Sequence, residues 1–316
     1  MNLTLGDARN VERAKALIEP YVFHTPVLCN DALDHRFGCR LFLKCENLQK
    51  SGSFKFRGAC HTLLTLEDEE KARGVLTVSS GNHGAALAMA GKQLGVSVWV
   101  ITPDNVSPAK LKNMESLQAK IHFCKPGMEN RERKLKELAE ESGRHVIHPF
   151  NDVRIIAGQG TAGLELIEAA QDLDAVFTPI GGGGLMSGTI LAFRARSRFT
   201  KVYGAEPAGA DDAWRSLQSG RIEPSANPRT LCDGLLSSLG TVTFPILQKG
   251  IDEIVCVEDT ETIQAMRWIW EEAHIIVEPS SAVALAAAFR MRHRLAGKSV
   301  GIILTGGNVN LDALPW

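Results

Sequence analysis

Two kinds of residue in this chain could carry chemistry: a lysine set between aromatic side chains, and three clusters of glycine. In KCENLQKSGSFKFRGA (44–59), Lys55 lies between Phe54 and Phe56, directly after Ser51, Gly52 and Ser53. An amine between two rings is partly stripped of water, and desolvation lowers its pKa toward the range in which it attacks carbonyls and forms Schiff bases. A snorkelling surface lysine would have the same neighbours, so Lys55 does not decide by itself. The glycine clusters are SSGNHG (79–84), GGGGLMSG (181–188) and TGGN (305–308). Consecutive glycines expose backbone N–H groups with no side chain in the way, which is what close wrapping of a phosphate requires. The tetraglycine segment fits neither GxxxxGK[ST] nor GxGxxG, since Met186 and Ser187 stand where a last glycine would fall. Glu206 follows at the distance where dinucleotide folds place a ribose-binding acid. An NAD-dependent oxidoreductase therefore stays open, although it leaves SGSFKFRGA and SSGNHG without a role.

The elements that must position these residues repeat with a clear rhythm from residue 75 onward. Apolar runs VLTVSS (75–80), VSVWVI (96–101), AKIHF (119–123), HVIHPF (145–150), DAVFTPI (174–180), KVYGAE (201–206), IDEIVCVED (251–259) and SVGIILT (299–305) read as strands. Between them, 84–94, 109–118, 130–141, 160–170, 185–194, 260–273 and 280–291 read as helices. Strand–helix alternation with near-continuous apolar strands predicts an α/β fold of mostly parallel, open twisted sheets flanked by helices. Each glycine cluster then falls at the carboxyl end of a strand. There a helix N-terminus and its free N–H groups attract anions. Residues 1–20 read as an amphipathic helix, and 207–250, with its four prolines, is the least regular segment.

Composition narrows the classes. The chain has 316 residues, 35 Lys+Arg against 36 Asp+Glu, and a net charge of -1. That balance excludes a general nucleic-acid or membrane-surface binder. Absence of a long apolar run or secretion signal predicts a cytoplasmic protein. Seven scattered cysteines without a CxxC pair read as reduced thiols rather than as disulfides or a zinc site.

Nine segments in order resemble the pyridoxal-phosphate enzymes of fold type II, in the branch of serine/threonine dehydratases and serine racemase. They are SGSFKFRGA (51–59), SSGNHG (79–84), HPFND (148–152), GQGT (158–161), PIGGGGL (179–185), EPAGADD (206–212), DGLLSSLG (233–240), VEPSSA (277–282) and TGGN (305–308). The resemblance implies a tryptophan synthase β-like fold. A large cofactor domain would span 1–73 and 151–316, and a smaller mobile one 74–150. It implies that Lys55 carries pyridoxal phosphate as a Schiff base and later serves as general base. Backbone N–H groups of Gly181, Gly182, Gly183, Gly184 and Leu185 would hold the phosphate. Phe54 would pack near the ring, Asn82 would bond its 3-hydroxyl, and Thr305 would face the pyridine nitrogen. A neutral hydroxyl there makes a moderate electron sink and favours β-elimination over transamination. Ser80, Gly81, Asn82 and His83 would cradle the substrate α-carboxylate.

The reaction so implied is dehydration and deamination of a β-hydroxy amino acid to a 2-oxo acid and ammonia, the cofactor phosphate protonating the departing hydroxyl. An amino-acid racemase on the same site is the alternative, with Ser80 as the second proton carrier. Glu206, the carbonyl of Ala210 and Asp212 match a divalent-cation site, suited by its oxygen donors to Mg2+ and also to Ca2+ or Mn2+. An acidic helix start is the competing account of those acids. Arg131, in MENRERK, matches a position that reaches a distal carboxylate, which would add 3-hydroxyaspartate to serine and threonine as substrates. A solvated helix face explains Arg131 equally well. A homodimer is implied, and a C-terminal regulatory module is not expected after Trp316. The chain departs from the family pattern at Ser281, Cys232 and Asn310, where glycine, alanine and aspartate are usual.

Overall fold

The computed structural model describes residues 7–106 and 108–316. Its strands are Val27–Leu28 (β1), Arg40–Cys45 (β2), Val75–Val78 (β3), Val98–Pro103 (β4), Lys120–Cys124 (β5), His145–Val146 (β6), Ala175–Pro179 (β7), Lys201–Pro207 (β8), Glu253–Val257 (β9) and Ser299–Leu304 (β10). They form a six-stranded sheet in the order β1-β2-β10-β7-β8-β9 and a four-stranded sheet in the order β5-β4-β3-β6. All pairs are parallel except β1 with β2. The α/β reading with two mostly parallel sheets is what the chain builds.

The differences from expectation have local causes. Strand β2 was not anticipated, because Arg40 and Lys44 interrupt its apolar run. Lys44 is nevertheless fully buried, its ammonium donating to Glu165 at 2.6 Å and to the Thr25 carbonyl at 2.6 Å. The run HVIHPF yields only the two residues of β6. After Ile147 N bonds the Leu76 carbonyl, Pro149 has no N–H with which to continue the ladder. The helix expected at 160–170 begins earlier, as Val153–Ala169, because the Asp152 side chain caps it by accepting from Arg154 N at 2.8 Å. The N-terminal helix is Arg9–Ile18; the part of that expectation on residues 1–6 lies outside the described residues.

Helix Lys55–Leu64, which the sequence rhythm also missed, bridges the two sheets. Its buried Phe56, Ala59, Cys60 and Leu63 share one apolar cluster with Val75, Ala86, Val98 and Val100 of the four-stranded unit. Its other attachment is ionic. Arg57 donates from Nε to Glu46 at 2.7 Å and from Nη1 to Glu165 at 2.6 Å, while Lys44 holds the second Glu165 oxygen. Two cations and two carboxylates, all buried, thus tie β2, helix Lys55–Leu64 and helix Val153–Ala169 together. Such a cluster contributes little net stability when intact, because desolvation offsets the attraction. Breaking it is costly, since it strands a buried charge. Replacing Arg57 by Ala is expected to lower the unfolding free energy by about 3–5 kcal/mol, measured by denaturant titration. A loss below about 1 kcal/mol, the ceiling for an exposed pair, would show that the cluster is not desolvated as described.

Candidate active site

One cavity gathers most of the residues expected to act. Phe54, Lys55, Ser80, Gly81, Asn82, His83, Arg131, Gly181 to Leu185 and Thr305 all line it. Apart from Phe54 and Lys55 and from Arg131 on helix Met128–Ser142, they arrive from three strand ends. The loop after β3 leads into helix Asn82–Leu94, the glycine loop after β7 leads into helix Gly184–Arg196, and Thr305 directly follows β10. Lys55 is brought to them because Phe54 N bonds the Thr305 carbonyl at 3.0 Å and Ser53 bridges Gly306.

The Lys55 amine donates to the Pro149 carbonyl at 3.1 Å and lies 5.2 Å from the Phe54 ring centroid. Burial lowers its pKa to about 8, against a smaller opposing pull from Glu278. Only Phe54 faces the amine. Phe56 turns into the core, where its ring meets the Lys50 ammonium instead. The two-ring argument for a desolvated lysine therefore holds through general burial and one ring.

The glycine loop is shaped for an anion. Gly183 has a φ of 86°, a left-handed conformation that favours glycine, and it caps helix Gly184–Arg196. A Cβ on Gly182 would collide with the Phe150 ring, which lines the same cavity. Thr243 braces the loop by donating from its hydroxyl to the Gly182 carbonyl at 2.8 Å. On the opposite loop the Ser79 hydroxyl accepts from Gly84 N at 2.9 Å and Gly81 N at 3.2 Å, leaving its neighbour Ser80 on the cavity wall. His83 is buried with neither ring nitrogen hydrogen-bonded, and burial holds it neutral by pushing its pKa well down. His148 is likewise lowered, to about 4, by burial and then by Lys55. Arg131 Nε is also buried without a partner.

The cavity fits pyridoxal phosphate in the chemistry of its donors. Backbone N–H groups at a helix start suit a phosphate, the lowered amine suits an aldehyde, and the Asn82 amide and Thr305 hydroxyl suit polar atoms of a ring.

Glu206, Ala210 and Asp212 do not line this cavity. The Glu206 carboxylate accepts from Ala213 N at 3.0 Å and Trp214 N at 2.7 Å, capping helix Asp212–Ser219. Both Asp212 oxygens are buried without a hydrogen bond of ordinary geometry, and burial, opposed by the nearby Ser225 hydroxyl and the Asp212 N–H, raises that carboxyl to about 6. Glu206 is raised well above its ordinary value, by burial first and by Asp212 second. Among the described residues, no three or more His, Cys, Asp or Glu side chains are placed to share a metal ion.

Several wall residues had no role assigned from sequence: Pro149, Phe150, Glu278, Ser280 and Asn308. The signal was available, since each falls in a resembling segment, HPFND, VEPSSA or TGGN.

Comparison with known proteins agrees with this geometry. The family model described as pyridoxal-phosphate dependent enzyme matches residues 18–306, and the chain belongs to that family. It is 44% identical to a serine racemase of Dictyostelium discoideum over 97% of this chain and 96% of that one. It is 42% identical to a β-hydroxyaspartate dehydratase of Paracoccus denitrificans, over 95% of each chain. Among solved structures, maize serine racemase superposes with a TM-score of 0.95 at 39% identity, covering 98% of this chain and 95% of that one. The nicotinamide alternative is set aside. No helix among the described residues is long and apolar enough to cross a membrane.

Proposed function

We propose that this chain is a pyridoxal-phosphate dependent ammonia-lyase that dehydrates and deaminates a β-hydroxy amino acid to a 2-oxo acid and ammonia. One observation carries the reading: the lowered Lys55 amine and Arg131, whose Nε is buried without a hydrogen-bond partner, line the same cavity as the glycine loop. A guanidinium matches a carboxylate in both charge and fork geometry, which supports 3-hydroxyaspartate beside L-serine and L-threonine. The β-hydroxyaspartate dehydratase among the relatives supports the same choice.

Bound pyridoxal phosphate supplies the electron sink for negative charge at the substrate Cα. Lys55 Nζ takes the Cα proton, a task suited to an amine whose pKa lies near the working pH. The Pro149 carbonyl orients that nitrogen. Gly181 to Leu185 would hold the phosphate through N–H groups, Phe54 would pack near the ring, and Thr305 would offer a neutral hydroxyl to the ring nitrogen. Ser80, Gly81, Asn82 and His83 hold the α-carboxylate. Ser80 also offers a second hydroxyl for proton transfer, and the serine racemases among the relatives favour racemisation as the alternative outcome.

A divalent cation, Mg2+, Ca2+ or Mn2+, at Glu206, the Ala210 carbonyl and Asp212 belongs to the proposal. The buried Asp212 carboxylate supports it, because neither oxygen has a hydrogen bond of ordinary geometry and buried oxygen donors suit a hard cation. The division into 1–73 with 151–316 and 74–150 and a homodimer rest on the resemblance, and a cytoplasmic setting on the sequence's lack of a long apolar run or secretion signal.

Replacing Arg131 by Gln is expected to lower kcat/KM for 3-hydroxyaspartate roughly 10- to 100-fold, the worth of a charged hydrogen bond. L-Serine turnover should stay nearly unchanged in the same assay; an equal loss on both substrates would remove Arg131 from distal-carboxylate binding. Exhaustive chelation is expected to lower the thermal midpoint, with Mg2+ restoring it. Identical melting before and after chelation would count against the cation.

A further inference from the structure

Beside Lys55 runs a chain of side-chain hydrogen bonds that the steps above do not use. Asn82 Nδ2 donates to Glu278 Oε1 at 2.8 Å. Asn308 Nδ2 donates to Asn82 Oδ1 at 2.9 Å and to the Ser51 carbonyl at 2.8 Å. Asn82, Glu278 and Asn308 all line the cavity with Lys55 and Thr305. They belong to separate elements: Asn82 opens the helix that follows β3, Glu278 precedes helix Pro279–Arg290, and Asn308 follows β10.

This pattern determines which end of the Asn82 amide is which. The Ser51 carbonyl only accepts, so the Asn308 group that faces it is the NH2. That nitrogen's second hydrogen needs an acceptor, and the Asn82 atom it meets is therefore Oδ1. A carboxylate also accepts, which independently sets Nδ2 of Asn82 against Glu278. A flipped amide would oppose oxygen to carboxylate and NH2 to NH2, losing both bonds. Correctly turned, Asn82 keeps one N–H to spend elsewhere. The glycine of TGGN gives the network its room: a Cβ on Gly306 would lie 2.6 Å from Glu278 Oε1 and 3.3 Å from Asn82 Nδ2.

We propose that Glu278 and Asn308 are positioning residues that lock the Asn82 amide as a donor, so that its remaining N–H reads the ring hydroxyl oxygen of pyridoxal phosphate. The inference rests on the assignment of Asn82 to that oxygen. A locked donor recognises a cofactor ring that carries an oxygen acceptor and gains nothing from one that lacks it. Glu278 and Asn308 thus set the chemical selectivity of cofactor binding without touching the ring oxygen themselves.

The test compares equilibrium binding of pyridoxal phosphate and 3-deoxypyridoxal phosphate to the cofactor-free protein, followed by absorbance. The wild-type chain is expected to prefer pyridoxal phosphate about tenfold, the worth of one charge-assisted hydrogen bond. Glu278→Ala and Asn308→Ala should each bring that preference toward unity while leaving affinity for the deoxy compound nearly intact. Glu278→Gln, whose side-chain oxygen still accepts, should retain most of the preference. Asn308→Ser serves in place of an Asn308→Ala protein that does not fold, with the same expectation. Equal weakening of both compounds would mark a merely structural role and overturn the proposal, as would an unchanged preference. Asn82→Ala separates the two levels. If it too keeps the wild-type preference, the assignment of Asn82 fails; if it alone abolishes the preference, only the lock fails.

Discussion

Desolvation of a single amine is the constraint on which this site depends. Lys55 sits at the start of a helix that is anchored on one side by apolar packing under the four-stranded sheet and on the other by the buried Arg57, Glu46, Glu165 and Lys44 cluster. With the helix fixed, the amine lies in a cavity where burial lowers it to about 8. Lys44 is fully buried outside that cavity, and its ammonium donates hydrogen bonds to Glu165 and the Thr25 carbonyl. Lys44 is thereby structural, whereas the Lys55 amine, bonded to the Pro149 carbonyl, lines the cavity.

The surroundings of Lys55 show how the chain holds anions at a near-zero net charge. In the proposed reading, phosphate and carboxylate would be held by backbone N–H groups at the starts of helices Gly184–Arg196 and Asn82–Leu94. The histidines on the same side are kept neutral by burial. Arg131 then adds a full positive charge to the wall from helix Met128–Ser142. On the proposed reading, specificity for the substrate's distal group would rest on Arg131 and cofactor selectivity on the network of Asn82, Glu278 and Asn308.

Much of this was legible in the sequence. The strand and helix rhythm after residue 75 emerges as two mostly parallel sheets, and the three glycine clusters meet at strand ends around one cavity. What stayed hidden depends on partners far apart in the chain. Strand β2 could not be read because Lys44 becomes compatible with a core only through Glu165. Glu278 and Asn308 gain their roles from bonds to Asn82 across 196 and 226 residues. The Phe54–Lys55–Phe56 triplet was half informative, since adjacent residues at a helix start point in different directions and only one ring reaches the amine.

Lys55 is proposed to be the amine that carries pyridoxal phosphate, poised by burial. Borohydride trapping of the cofactor on the protein at a series of pH values, followed by peptide mapping, tests both parts together. The free amine accumulates as pH rises through the folded-state pKa, so label on the Lys55 peptide should grow with a midpoint near 8, well below the ordinary 10.5 of a lysine. Label on another peptide, or a midpoint at the ordinary lysine value, would contradict the account.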